Sequence, residues 1–594
     1  MPTRRQNDSA INIPINPIDP IKLMKISTTI LKPLLAALLS GTLASHLHAW
    51  EPGAKELDAA ISSGDFAGYL SNATTWLNQK TPAGSAQGAL EALPKDPVFR
   101  TVLDQRHLIA KTGADKLSAF AKADPDNKVF LSWLMSSAPI MDLYLEALVP
   151  LGLAAREEDK YTLDTAALEL WKKLLKADPD AKEGIYLKLA IATAIAPPGS
   201  VNIGAGSAAK PADPVVRYNH FKTAHQNKEL CPSFDNLDVW GYARVVSSGA
   251  SDEDLAWARK MVQTFRPDLL EKERVVKSTS LVWRRAAPPQ FYPNGYVNFK
   301  NVLAGGGKCG PKSSWGVMVS QAFGIPAIGV GQPAHACVAY KAAHPEIDPQ
   351  PGAAWKVDYG RGWQVSKLFG LSGEDFLAGA AERDYPDEFS QVEHLRWLAA
   401  ALSPADRAAP VLAALESIRK SVATKIAAAA AIVPEKEAPK PAPELEPRSQ
   451  EPIKAVDGVI HVEAAGFAKT GGQISWGGQK PYVEVSKCYT GGEQVYFEQQ
   501  MKEQWADYII DVPESGTYGI VMKAACVNED QALEACVGGE VIATVPIPLE
   551  FGLWAETSPV DLKLEKGVQT LRIQTSTKQH MRGISLRWFE LRKK

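Results

Sequence analysis

The sequence predicts a multidomain chain with an N-terminal α-helical region, a mixed α+β core and a C-terminal all-β sandwich. Three observations carry the prediction. At 594 residues the chain is longer than one ordinary hydrophobic core. Apolar residues repeat at helical spacing through the first third, then alternate at strand spacing from residue 458 onward. Between the two patterns lies "PEKEAPKPAPELEPRSQEP" (434–452), in which Pro and Glu alternate and almost nothing can be buried.

Composition narrows the function classes. With 45% hydrophobic and 22% charged residues the chain reads as globular. A net charge of −2 provides no footprint for nucleic acid or for a polybasic membrane anchor. No zinc-finger or EF-hand spacing occurs. "GGGKCG" fails as a phosphate-binding loop, because Val302 stands where its first Gly belongs and Cys309 replaces the Ser/Thr.

Residues 1–49 read as a leader and signal peptide. From Met24 the chain runs "MKISTTILKPLLAALLSGTLASHLHA", with Lys25 and Lys32 as a positive head. Leu34–Leu39 forms the apolar stretch and Leu47-His48-Ala49 the cleavage site. That stretch is far shorter than the about 20 residues needed to span a bilayer. Export to a periplasmic or extracellular location is therefore expected, with no transmembrane segment. Export permits disulfides. Six cysteines (231, 309, 337, 488, 526 and 536) are too few for a disulfide scaffold, and Cys526 and Cys536 are the expected pair.

Residues 50–212 form the helical region, with patterns such as "TAALELWKKLLKADP" and "EGIYLKLAIATAIAPP", each ended by Asp-Pro or Pro-Pro. Residues 213–403 are richer in Trp, Tyr and Gly and mix helix with strand. An Ala-rich helix is expected over 404–432, then an extended, semi-rigid linker over 433–457. In 458–594, "VIHVEAAGF", "WADYIIDVPESGTYGIVMKAA" and "VDLKLEKGVQTLRIQT" alternate apolar and polar residues between the turns "PESGT" and "EKG".

The chemistry centres on "AGGGKCGPKSSWGVMVSQAFGIP" (304–326). Pro311 suits the first helical position, where its missing N–H has no intrahelical partner. Trp315, Met318, Val319, Ala322 and Phe323 then share one apolar face, and Gly324 and Pro326 end the helix. Cys309 is thus expected just ahead of a helix N-terminus, whose positive end favours thiolate, with Lys308 acting in the same sense. A small buried Cys beside a turn would explain this segment equally well by itself.

The following segments supply partners. "IPAIGVGQPAHACVAY" reads as a strand pair or bent strand, with His335, Cys337 and Ala339 on one face. In "AWKVDYGRGW", Lys356 and Asp358 share a face, and antiparallel pairing can set His335 beside Asp358. A thiol needs a base, and the base needs an acceptor to orient it. Cys309, His335 and Asp358 offer those roles in chain order. Cys309, His335 and Cys337 also make a three-ligand zinc set. No second Cys pair accompanies them and Asp358 would be left without a role, so no metal is assigned.

"GGKCGPKSSWGVMVSQAFGIPAIGV", "HACVAY" and "AWKVDYG" resemble the transglutaminase-like core over residues 305–363. In that family a Cys opens a helix ending in Gly-Ile-Pro-Ala, as at 324–327, followed by His-Ala on one strand and Val-Asp on the next. The resemblance implies a papain-like α+β fold with Cys309 as nucleophile, His335 as general base and Asp358 as orienting acid. It also makes Trp283 a candidate oxyanion donor through its indole N–H. Two departures touch the substrate cleft: Cys337 replaces a Trp, and Tyr359-Gly360 replaces Pro-Thr.

Residues 458–594 are similar to carbohydrate-binding modules of the galactose-binding-like jelly-roll type. The resemblance implies a glycan ligand stacked on exposed aromatic rings, with Trp476, Trp505 and Trp554 as candidates and Trp554, in "FGLWAETS", foremost. It also implies a structural calcium held by two acids. This chain has Glu463-Ala464-Ala465 there, so one acid is missing and no cofactor is assigned.

The expected function is an exported cysteine hydrolase or acyltransferase acting on amide bonds in a protein, peptide or peptidoglycan-type substrate, targeted by a lectin-like module. The alternative is a non-catalytic periplasmic or surface binding protein that uses the same fold as a scaffold.

Overall fold

The computed structural model describes residues 50–594 except 82, 153–155, 157–160, 199–211, 283–297, 344–353, 369, 432–444, 473–482, 499–503 and 576–582. The expected signal peptide lies outside the described residues. No helix among the described residues is long and apolar enough to cross a membrane.

The Asp-Pro pairs that punctuate the helical region start helices as well as end them. Asp96 and Asp124 accept N–H bonds from Phe99 and Asp126, while Pro97 and Pro125 occupy first helical positions. Each side chain thus satisfies an N–H that the helix itself cannot. The short helices that result, among them Pro97–Thr112, Pro125–Met135, Ala138–Leu148 and Thr165–Ala177, bury an aromatic cluster. In it Trp171 meets the rings of Phe130, Trp133 and Tyr144 at 5.5 Å each.

The sequence boundary at residue 403 does not hold. Helices Pro386–Ala401 and Ala408–Ala431 return to the N-terminal helices. Asn78 donates to Ala401 O at 2.9 Å, and its Oδ1 accepts from Ser403 N and Arg407 Nη1. His107 stacks on Trp397 at 4.3 Å. The bundle therefore comprises residues far apart in the chain, which composition cannot reveal.

Between these segments lies an antiparallel five-stranded sheet of order β3-β2-β1-β4-β5. Its strands are β1 (Ala327–Gln332), β2 (His335–Lys341), β3 (Trp355–Asp358), β4 (Lys367–Leu368) and β5 (Leu371–Ser372). β1 and β2 form a hairpin through Pro333-Ala334, which resolves the pair-or-bend ambiguity. Helix Cys309–Ala322 lies across this sheet. A Cβ on Gly316 would fall 2.7 Å from methyls of both Thr279 and Val338, so this glycine sets the closeness of helix to strand.

The C-terminal sandwich has two sheets. One runs in space through Ala555–Glu556, Gly516–Cys526, Ile584–Lys593, Glu493–Phe497 and Glu484–Lys487; the other through Glu540–Ile547, Gln531–Val537, Gly567–Thr575, Gln504–Val512 and Ile453–Lys454. Inward residues of both, including Phe497, Tyr508, Ile520, Leu571 and Phe589, form one core. The module begins earlier than residue 458. Leu445 and Ile453 pack on this core and Arg448 N donates to Phe467 O, so the last part of the expected linker belongs to the sandwich.

The sandwich is not held at a distance. Helix Asp252–Phe265 ends with carbonyls that no intrahelical donor can reach. Gln494 Nε2 donates to Thr264 O at 2.7 Å and Ser585 Oγ to Phe265 O at 2.7 Å. Asn528 Nδ2 donates to Ala304 O at 2.9 Å, and Phe265 meets Tyr496 edge-on at 5.5 Å. Gln494 and Ser585 are fully buried, so this is a desolvated joint.

Cys526 is not in a disulfide, which corrects the expected Cys526–Cys536 bridge. Cys526 ends its strand, whereas Cys536 lies five residues along the next one, in the other sheet.

Candidate active site

The glycines before Cys309 serve the backbone. Gly306 has φ +82, and a Cβ on Gly307 would fall 2.6 Å from Pro311 Cβ. The chain therefore turns tightly under the Pro311 ring into the helix. Cys309 is itself the first helical residue, so Pro311 is third rather than first. Its missing N–H is still one of the four that a helix start leaves unpaired. Trp315, Met318, Val319, Ala322 and Phe323 are all buried as expected, and Ser313–Gln321 between them are buried too. Gly324 has φ +77 and a Cβ there would meet Phe234 at 2.5 Å, which accounts for the Gly-Ile-Pro turn.

Cys309 is half-buried, at the positive end of this helix. Tyr359 Oη donates to Cys309 O at 3.0 Å. The same tyrosine, at φ +44, offers its own carbonyl to His335 Nε2 at 3.1 Å, and the two rings meet edge-on at 5.5 Å. A carbonyl only accepts, so Nε2 carries the proton and Nδ1 has the lone pair in the neutral ring. Tyr359 thus connects the thiol-bearing helix to the imidazole.

Asp358 lies elsewhere. β2 and β3 are antiparallel as expected, but the register pairs Val338 with Asp358. His335, three residues before Val338, falls on the other side of the pleat. The expected juxtaposition of His335 and Asp358 is therefore not formed. Instead Asp358 Oδ2 accepts from Thr279 Oγ1 at 2.7 Å and Oδ1 pairs with Lys277 Nζ at 3.0 Å. Both partners come from a short 3-10 segment, Val275–Leu281, that packs under the Cys309 helix. No hydrogen bond joins Cys309 Sγ to His335 in this structure. Thr279 and Lys277 carry no signal in the sequence, whereas Tyr359 stands in the Tyr-Gly departure after Asp358.

Cys337 faces Trp355, Trp363 and Phe376 rather than the thiol site. Burial, with the nearby Asp358 and Cys309 charges, pushes its thiol up to about 12. Trp283 lies outside the described residues.

In the sandwich, Trp476 also lies outside the described residues. Trp505 is no free platform. The Arg572 guanidinium sits 3.7 Å from its ring centroid, itself held by Asp507 at 2.7 Å, and a Cβ on Gly471 would overlap the ring at 2.2 Å. Trp554 is half-buried with its indole N–H enclosed. Glu463, the one acid at the expected calcium position, pairs with Arg587 and contacts His461 Nε2 at 3.3 Å. A guanidinium already stands there, so these residues do not fit a calcium ion.

No family model matches this chain, and no curated protein matches it. Solved structures that match it do so over about a quarter of its length, and they include carbohydrate-binding modules. The C-terminal family 6 module of LamC from Zobellia galactanivorans is 18% identical, covering 23% of this chain and 99% of its own, with a TM-score of 0.19. CsCBM6-3 from Clostridium stercorarium, in complex with cellobiose, is 13% identical over 25% of this chain and 100% of its own, at 0.20. The GH26-CBM35 β-(1,4)-mannanase of Podospora anserina is 16% identical over 23% of this chain and 28% of its own, at 0.19.

Proposed function

We propose that the core is a transglutaminase-like cysteine enzyme acting on amide bonds, in an exported chain whose sandwich serves as a glycan-capturing module. The observation that carries this reading is the Tyr359 link, which ties the helix-opening Cys309 to an imidazole of fixed tautomer. Cys309 Sγ attacks the amide carbonyl, and His335 takes the thiol proton and returns it to the nitrogen as the C–N bond breaks. The thioester then passes to water, releasing acid and thiol, or to an amine, forming a new amide. Tyr359 O orients the ring. The role that the resemblance assigns to Asp358 requires its carboxylate to leave Lys277 and Thr279 for His335.

Iodoacetamide labelling of the full chain across a pH series tests the reading. Cys309 is expected to alkylate well below pH 8, with the excess rate lost in His335→Ala. Reaction with the profile of a free thiol of pKa about 8.5 overturns it. That outcome supports the second reading, a non-catalytic binding scaffold, which is favoured by the engaged Asp358 and the unmade Cys309–His335 bond. For the sandwich, full-length protein on a glycan array is expected to retain a glycan and to lose it in Trp554→Ala. Retention of none removes the module's part.

A further inference from the structure

Away from Cys309, three helices of the bundle bring together a second set of polar side chains. Asp104 from Pro97–Thr112, Asp142 from Ala138–Leu148 and His394 from Pro386–Ala401 are all buried, at 0%, 6% and 1% exposure. One ligand atom from each lies within 4.8 Å of the other two. His394 Nε2 is 3.0 Å from Asp104 Oδ1 and 3.1 Å from Asp142 Oδ1.

The hydrogen-bond inventory of this cluster is incomplete. His394 Nδ1 is 2.6 Å from Ser390 O, so Nδ1 carries a proton and Nε2 is the atom turned to the carboxylates. A proton on Nε2 points along one in-plane direction, and the geometry assigns it to Asp142 Oδ1. Asp104 Oδ1 is as near but off that direction. Asp104 Oδ1 has only this 3.0 Å approach to His394 and Oδ2 has no hydrogen-bond partner, in a side chain wholly removed from water. A buried carboxylate in that state is costly. A metal ion, unlike a proton, draws in several donors at once.

We infer that Asp104, Asp142 and His394 bind a divalent cation of the zinc class that pins the three helices together. With Zn–N and Zn–O bonds of about 2.0–2.1 Å in a tetrahedron, neighbouring ligand atoms stand roughly 3.3 Å apart. The observed 3.0 and 3.1 Å separations are close to that spacing. The Ser390 carbonyl on Nδ1 is the kind of outer partner that orients metal-binding imidazoles. The three side chains supply three donors, and the fourth position of the tetrahedron is left to a water. Arg100 pairs with the other Asp142 oxygen at 2.5 Å, its own side chain 35% exposed.

The test is metal content of the full chain. After chelator treatment and equilibration with Zn2+, the protein is expected to hold one equivalent and to melt higher than the apo form. Asp104→Asn and His394→Gln are expected to weaken Zn2+ binding at least tenfold. His461→Ala, which removes the exposed His461–Glu463–Glu590 set on the sandwich, is expected to change nothing at this site. Failure of the His461→Ala protein to take up an equivalent overturns the inference, as does full retention in Asp104→Asn. If the buried variants do not fold by circular dichroism, Co2+ loading of His461→Ala decides. Visible d–d bands displaced by one equivalent of Zn2+ support the site, and their absence overturns it.

Discussion

Asp358 Oδ2 accepts a 2.7 Å hydrogen bond from Thr279 Oγ1, and this buried contact ties the third strand of the small sheet to the segment beneath the Cys309 helix. The strand register places Asp358 on the face opposite His335, and this contact holds it there.

Thr279→Val keeps the shape and removes the donor. An unsatisfied buried carboxylate oxygen costs about 1–3 kcal/mol, so the urea midpoint is expected to fall by that equivalent. If the freed carboxylate turns to His335, Cys309 alkylation rises in the same variant. An unchanged midpoint would show that Thr279 does not hold Asp358.

Gly316→Ala inserts a methyl between Thr279 and Val338, each 2.7 Å from the added carbon. Overpacking of this kind costs about 1–3 kcal/mol. Thermal unfolding should report it, whereas Gly310→Ala, where no atom stands within 4 Å of the added carbon, should be close to neutral by the same measurement.

His220 offers a pH test remote from both sites. Arg259 Nη1 donates to its Nε2 at 3.0 Å, and burial, followed by the charges of Arg259 and Arg217, lowers its pKa to about 3. The unfolded value is near 6.5. Because the folded value is the lower one, the unfolded chain gains the proton first as pH falls. Stability is therefore intact above pH 6.5 and declines toward pH 3. Denaturant midpoints at pH 7 and about 4.5 should differ more in the native chain than in His220→Gln.

The buried joint at Gln494 and Ser585 predicts that helices and sandwich unfold together. Far-UV circular dichroism and tryptophan fluorescence should give coincident urea transitions. Two separated transitions would restore the picture of a module on a tether. Gln494→Ala leaves Thr264 O without its donor and should lower the shared midpoint by about 1–3 kcal/mol.

Local pattern made much of this legible. Strand alternation located the sandwich, and the run from Gly305 to Pro326 gave the helix, its buried face and its stop. The choice between a strand pair and a bent strand at 325–340 was left to the structure, which forms the β1–β2 hairpin. What escaped was set by long-range pairing. Register moved Asp358 off His335, although alternation along each strand was read correctly. Thr279 reaches Asp358 across 79 residues, and nothing in the string marks that distance. Asp104, Asp142 and His394 share no spacing, because three different helices bring them together. The linker was overextended since Pro and Glu frequency does not report that Leu445 and Ile453 meet an apolar face.

The capping of Thr264 and Phe265 by side chains 230 and 320 positions further on has a consequence for inheritance. A domain joined by a free string can be shuffled between genes as a cassette. Here excision would bare two carbonyls and two polar side chains that now satisfy one another, and a newcomer would need donors at the same two points. Helix and sandwich are thus matched surfaces rather than interchangeable parts.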